Sequence, residues 1–288
     1  MTAPSMSCVP GSTRIFVFDE VYPFRAAQEQ AEKKKLSAFG LLAKINLRRR
    51  PTPDTVQLTK EELRYEPFWH ITATRSIDYC SQATYQVPVH NAYAQQLQIE
   101  GLRFDVARQK DKARIEFVAV EQCHRKISYD EYLDGMQRGV APSVLAGYVK
   151  RYKFTEHEEY ENPALLKPAL PLQAATDLAM ARLSSEVVTA HEVMRNDFEF
   201  ERRHLYARPV FAFEYRWGPA DKTGVIEVDG LTGEVVESGH WFDEKITQRF
   251  TRERLIDLGA DAANLALPGS GIVIKAIGYG TTEAGRRP

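Results

Sequence analysis

Four side chains have the types to do chemistry beyond packing: His70, Cys80, Cys123 and His124. Thiolates and imidazoles are the ligands zinc prefers. A cysteine beside a histidine also supplies the nucleophile and base of acyl transfer. The spacing serves neither purpose. There is no CxxC and no HxxxH, and Cys123 and His124, consecutive in a strand, would leave from opposite faces. Small buried cysteines and a histidine capping a sheet edge are the plainer reading. No G-x-S-x-G, HExxH, Walker A loop or GxGxxG is present, and Gly269-Ser-Gly271 lacks the Lys-Ser/Thr of a phosphate loop. No catalytic residue, metal ligand or cofactor is therefore assigned.

A second group suits a charged partner. Lys33, Lys34, Lys35, Arg48, Arg49 and Arg50 crowd one segment beside an apolar stripe of Leu36, Phe39, Ala43 and Leu47. Helices of this kind lie on anionic membranes or phosphate backbones, although most cationic faces are simply solvated. These six cations are the candidate interaction surface. The whole chain offers no long-range field to help, because Lys+Arg is 38 against Asp+Glu 39.

These residues are positioned by elements with a clear order. Residues 14–19 read as a strand ended by Tyr22-Pro23, after a Ser/Pro/Thr-rich tail over 1–13. Residues 25–47 read as a helix, stopped by Arg50-Pro51. The period then changes to two, giving strands at 56–58, 63–79 and 84–89, with Pro88 at a sheet edge. A hairpin pairs Phe104 and Val106 with Ile115 and Phe117. Residues 125–170 read as an irregular linker between a first unit, 14–124, and a second, 171–258. The second opens with a helix over 172–188. Strands follow at 198–200, 209–217 and 224–229, then a helix near 250–263 and a glycine-rich segment over 259–288.

Shifted by 142 residues, the halves align: Leu63, Pro67 and Trp69 fall on Leu205, Pro209 and Phe211. The apolar parity is kept, and each copy follows a helix. In the second copy Phe211, Phe213, Tyr215 and Trp217 share one face, which the helix over 172–188 is expected to cover. The expected fold is thus α+β, with two tandem modules, each a helix packed on an antiparallel sheet.

The hairpin over 225–236, with its Asp229-Gly230-Leu231-Thr232-Gly233 turn, resembles the PepSY-like domain family over residues 171–240. The likeness reaches the first half only through the repeat. It implies a helix across an antiparallel sheet and a binding or inhibitory module without catalytic residues. The expected function is a non-catalytic protein-binding or scaffold protein with a protein partner. The alternatives are an enzyme or zinc protein using the Cys/His group, and a binder of nucleic acid or anionic membrane through the basic helix. The first residues carry no signal-peptide pattern, no apolar run reaches about 18 residues, and three cysteines make no disulfide framework. A reducing, cytoplasmic setting is expected.

Overall fold

The computed structural model describes residues 4–40, 50–109, 112–242, 250–251 and 272–274. In chain order its strands begin with β1 (Ser5–Cys8) and β2 (Thr13–Phe18), followed by helix α1 (Phe24–Lys34). Then come β3 (Val56–Pro88), β4 (Gln96–Ile99), β5 (Leu102–Asp105), β6 (Ala107–Gln109) and β7 (Lys112–Asp134). Helix α2 (Pro142–Arg151), β8 (Phe154–His157), β9 (Glu159–Tyr160) and helix α3 (Leu172–Ser184) follow. The last part carries β10 (Val188–Ala190), β11 (Glu192–Trp217), β12 (Lys222–Asp229) and β13 (Val235–Gly239).

Two tandem modules are not what forms. One mixed sheet of nine strands takes elements from the whole length, in the order β13-β12-β11-β3-β7-β6, with β2 and β1 also on β11 and β8 on β2. Its spine is the antiparallel pairing of β3 with β11, which runs from Val56 opposite Trp217 to Cys80 opposite Glu192. The three strands expected over 56–89 are thus one strand of 33 residues. The segment expected as a linker holds the end of β7, then α2 and β8, and the expected N-terminal tail contributes β1.

Two prolines lie inside this spine, where a missing N–H would normally break a ladder. Both sit where one edge changes partner. β3 starts its pairing with β7 at Phe68, next to Pro67, and β11 leaves β2 at Ala207 and takes up β12 at Val210, around Pro209. Glycines press on the same two sites. A Cβ on Gly135 would lie 2.4 Å from the Pro67 carbonyl oxygen, and one on Gly230 would lie 2.8 Å from that of Pro209. No side chain fits there.

The helices cover the sheet in an unexpected order. The aromatic row Phe211, Phe213, Tyr215 and Trp217 is buried as expected, but its cover is α1, through Ala27 and Ala31. Helix α3 instead lies on Trp69, Ile71 and Ala73, through Ala175, Ala179 and Leu183. The chain entering each helix fixes this exchange. β2 runs parallel to β11, and Tyr22 N–H donates to Gly230 O, so α1 starts beside β12. Residue 165 bridges in parallel to Tyr65 of β3, and Leu170 N–H donates to Gly135 O, so α3 starts beside β7. The fully buried Arg75 then donates to the carbonyl of Leu183, a cation at the negative end of α3.

Both helices are shorter than expected. Helix α1 stops at Lys34 and continues as a 3-10 turn over Lys35–Phe39, and α3 stops at Ser184. Residues 41–49 lie outside the described residues, as does the expected helix near 250–263 beyond the strand Phe250–Thr251. In the glycine-rich close, Ile272–Ile274 pairs with β10. Among the described residues no helix is long and apolar enough to cross a membrane.

Candidate functional site

Alternation along three adjacent strands brings charges together on the face opposite α1 and α3. β3 contributes Arg64 and Glu66, β11 Arg208, and β12 Glu227 and Asp229, all matched by register. Arg138 joins from the turn after β7, and Tyr148 from α2. Asp134 holds that turn by accepting the backbone N–H groups of Met136, Arg138 and Val140.

The three guanidiniums and three carboxylates pair completely. Arg64 donates to Glu66 at 2.8 Å and to Glu227 at 2.7 Å. Arg138 donates to Glu66 at 2.7 Å and also bonds to Glu227. Arg208 donates to Glu66 at 2.7 Å and bonds to Asp229, which also accepts the Tyr148 hydroxyl at 2.7 Å. Arg64 further donates to the His240 carbonyl, and the Phe242 ring lies over its guanidinium at 4.7 Å. Arg64 has no exposed surface, and Glu66 and Glu227 are 2% exposed.

Burial alone would raise the Glu66 carboxyl, but Arg208, Arg64 and Arg138 outweigh it and hold it below the usual carboxylate range. Burial opposes the charge on Arg208, and Glu66 and Asp229 overcome it, so its proton is held more firmly than usual. Burial raises the Tyr148 hydroxyl, helped by Asp229. A cleft of about 310 Å³ opens beside the cluster, lined by Arg138, Val144, Tyr148, Arg208 and Glu234 among others. The walls that Arg138, Arg208, Glu227 and Asp229 contribute are already tied up in the ion pairs of the cluster. A neutral, saturated cluster of this kind ties strands together.

The same face carries a second group nearer β8. His70 bonds to Asp130 at 2.7 Å and stacks on Tyr132 at 4.1 Å, with His204 6.1 Å away. Burial lowers His70 below the usual imidazole range, against the pull of Asp130. Burial, with His70, Arg14 and Arg202, lowers His204 to about 4. Two neutral imidazoles among aromatic rings are packing groups that happen to titrate.

The sequence candidates do not converge. His124 pairs with Asp78 at 2.6 Å, eight residues along β3 from His70, a separation of about 26 Å at strand rise. Cys123 follows Tyr79 in register and faces away from His124, and all three cysteines are free and half-buried. Among the described residues no three His, Cys, Asp or Glu side chains form a metal-binding group. Of the six basic candidates, Lys34 is paired with Glu237 and Lys35 with Glu32, while Lys33 and Arg50 are exposed. Arg48 and Arg49 lie outside the described residues. The buried cluster was missed by sequence reasoning, though a signal existed. Arg64-x-Glu66 and Glu227-x-Asp229 put like-spaced charges on one face of strands whose flanking residues, Tyr65, Phe68, Trp69, Ile226 and Val228, are large and apolar.

Comparison with protein-family models, with curated proteins and with solved structures finds no match.

Proposed function

We propose that this chain is a non-catalytic protein-binding or scaffold protein, acting in a reducing, cytoplasmic setting. The observation that carries the reading is a projecting ribbon. Beyond Cys80 the strand β3 has left β11, and it continues with β7 as far as Pro88 and Arg114. That is eight residues, or about 26 Å, of sheet clear of the spine. Val118 and Val120 are 64% and 58% exposed on it. The saturated charge cluster supports the non-catalytic part, and three unpaired cysteines suit the compartment. The PepSY-like likeness of the β12–β13 turn and the internal repeat belong to the same proposal, with the two copies interlocked in one sheet.

The test places a photo-crosslinking residue at Val118 or, as control, at Lys222 of the full chain in its native cell. A discrete protein adduct from Val118 that is absent from Lys222 is expected. No adduct from Val118, or the same products from both positions, would overturn the reading.

A further inference from the structure

Among the described residues, strand β7 has a long unpaired edge. One side pairs with β3 from Arg114 to Asp134 in unbroken register. On the other side β6 covers Lys112 to Arg114, and from Ile115 to Leu133 no described backbone group bonds to that edge. Every second residue there turns its N–H and C=O outward. Natural sheets blunt such edges with short strands, prolines, bulges, a covering element or charged side chains, and of these only charges stand along this one. β7 runs 23 residues with neither proline nor bulge.

The order of charges along this edge points to its occupant. Residues 125–131 read Arg125, Lys126, Ile127, Ser128, Tyr129, Asp130, Glu131: two cations, three uncharged residues, two acids. A two-fold axis through Ser128, normal to the sheet, lays a second copy antiparallel and keeps every residue on its own face. Lys126 then stands opposite Asp130 of the second copy on one face. Arg125 stands opposite Glu131 on the other, and each pair occurs twice. Ile127 meets Tyr129, and Ser128 meets itself. Moving the axis two residues to Lys126 would set Lys126 against itself, and moving it to Asp130 would set Asp130 against itself. Directly opposed like charges destabilise a sheet.

The side chains are available for this pairing. Lys126, Ser128, Asp130 and Glu131 are exposed. The Asp130 carboxylate, which accepts from His70 and Thr72, is still 61% exposed and has lone pairs to spare. Arg125 donates to Glu186 and to the Val187 carbonyl, leaving further N–H groups of its five free for a second acid.

We infer that two copies of this chain join edge to edge through β7, centred on Ser128, so that their sheets become one. A foreign strand would need no such palindrome of charge, which is why a second copy is the occupant the sequence of this edge fits.

Sedimentation of the full chain tests the inference. The expected mass is twice 32.7 kDa. Lys126→Glu sets acid against Asp130 at two places and is expected to weaken the dimer by about tenfold or more. Adding Asp130→Lys restores opposite charges and should recover most of the loss. Far-ultraviolet circular dichroism checks that both variants are folded. The register is tested separately by oxidation. Opposed Cα atoms lie about 4.5–5.5 Å apart, within reach of a disulfide. In a Cys8→Ser, Cys80→Ser, Cys123→Ser background, Ser128→Cys should therefore crosslink under mild oxidation, and Lys126→Cys should not. A single-chain mass up to about 100 µM, a dimer indifferent to Lys126→Glu, or a Ser128→Cys chain that stays uncrosslinked would each overturn the inference.

Discussion

Glu66 on β3 and Arg208 on β11 stand opposite one another in register, joined at 2.7 Å, and they are 142 residues apart. That separation equals the offset that lays Leu63, Pro67 and Trp69 on Leu205, Pro209 and Phe211. The ion pair is thus the point where residues 63–69 and 205–211 cross antiparallel. The two prolines, the two glycines pressed on them and the two exchanged helices are disposed on either side of it.

Removing one charge from this pair should be costly. Glu66→Gln leaves Arg64, Arg138 and Arg208 with two acids among them, in a largely buried site. Breaking a buried pair in this way typically costs about 3–5 kcal/mol. Urea melts of Glu66→Gln, Arg208→Met and the double variant measure the coupling. The double variant is expected to lose less than the sum of the singles.

Acid should weaken the fold in two stages. His204 is held near pKa 4 in the folded chain, by burial first, while an unfolded histidine titrates near about 6.5. Between those values the unfolded chain binds more protons, so stability is full above about pH 6.5 and falls as the pH drops toward 4. The loss should be roughly 2 kcal/mol, discounting for partial exposure. Glu66, held below the usual carboxylate range, adds a further loss only below about pH 4. Chemical denaturation from pH 7 down to about 2 checks both stages, and His204→Phe should flatten the upper one.

The covering of the aromatic row by α1 can be tested through size. Phe213 has no exposed surface, and truncating it to alanine should cost about 3–5 kcal/mol. Glu214, on the other face, should cost far less. Ala31→Leu pushes a larger side chain against the same row and should cost about 1–3 kcal/mol. A change of side chain at Leu178, exposed on α3, should by contrast be nearly neutral, as in Leu178→Met.

Local features of this fold were legible in the chain, and pairings were not. Alternation along residues 209–217 gave the buried row, because period two reports which face is apolar, and the short apolar run within residues 14–19 gave β2. It does not report which helix covers the face. That depended on where β2 and residue 165 enter the sheet, a contact between residues far apart in sequence. Pro209 looked like a strand start, since a proline inside a central strand is rare, and this cut β11 short. Reading residues 125–170 as a linker, although they hold the end of β7, α2 and β8, divided one sheet into two modules. Arg64, Glu66, Arg208, Glu227 and Asp229 escaped notice because each charge is tolerable only beside the others, and their meeting needs three strands in register.

The single sheet is tested most directly by native-state hydrogen exchange. If β3 and β11 form one spine, amides at the centres of residues 68–79 and 202–217 should open together, with free energies equal to within about 1 kcal/mol and near that of global unfolding. If one half exchanges through an opening several kcal/mol easier than the other, the halves fold as separate units, and the one-sheet architecture is contradicted.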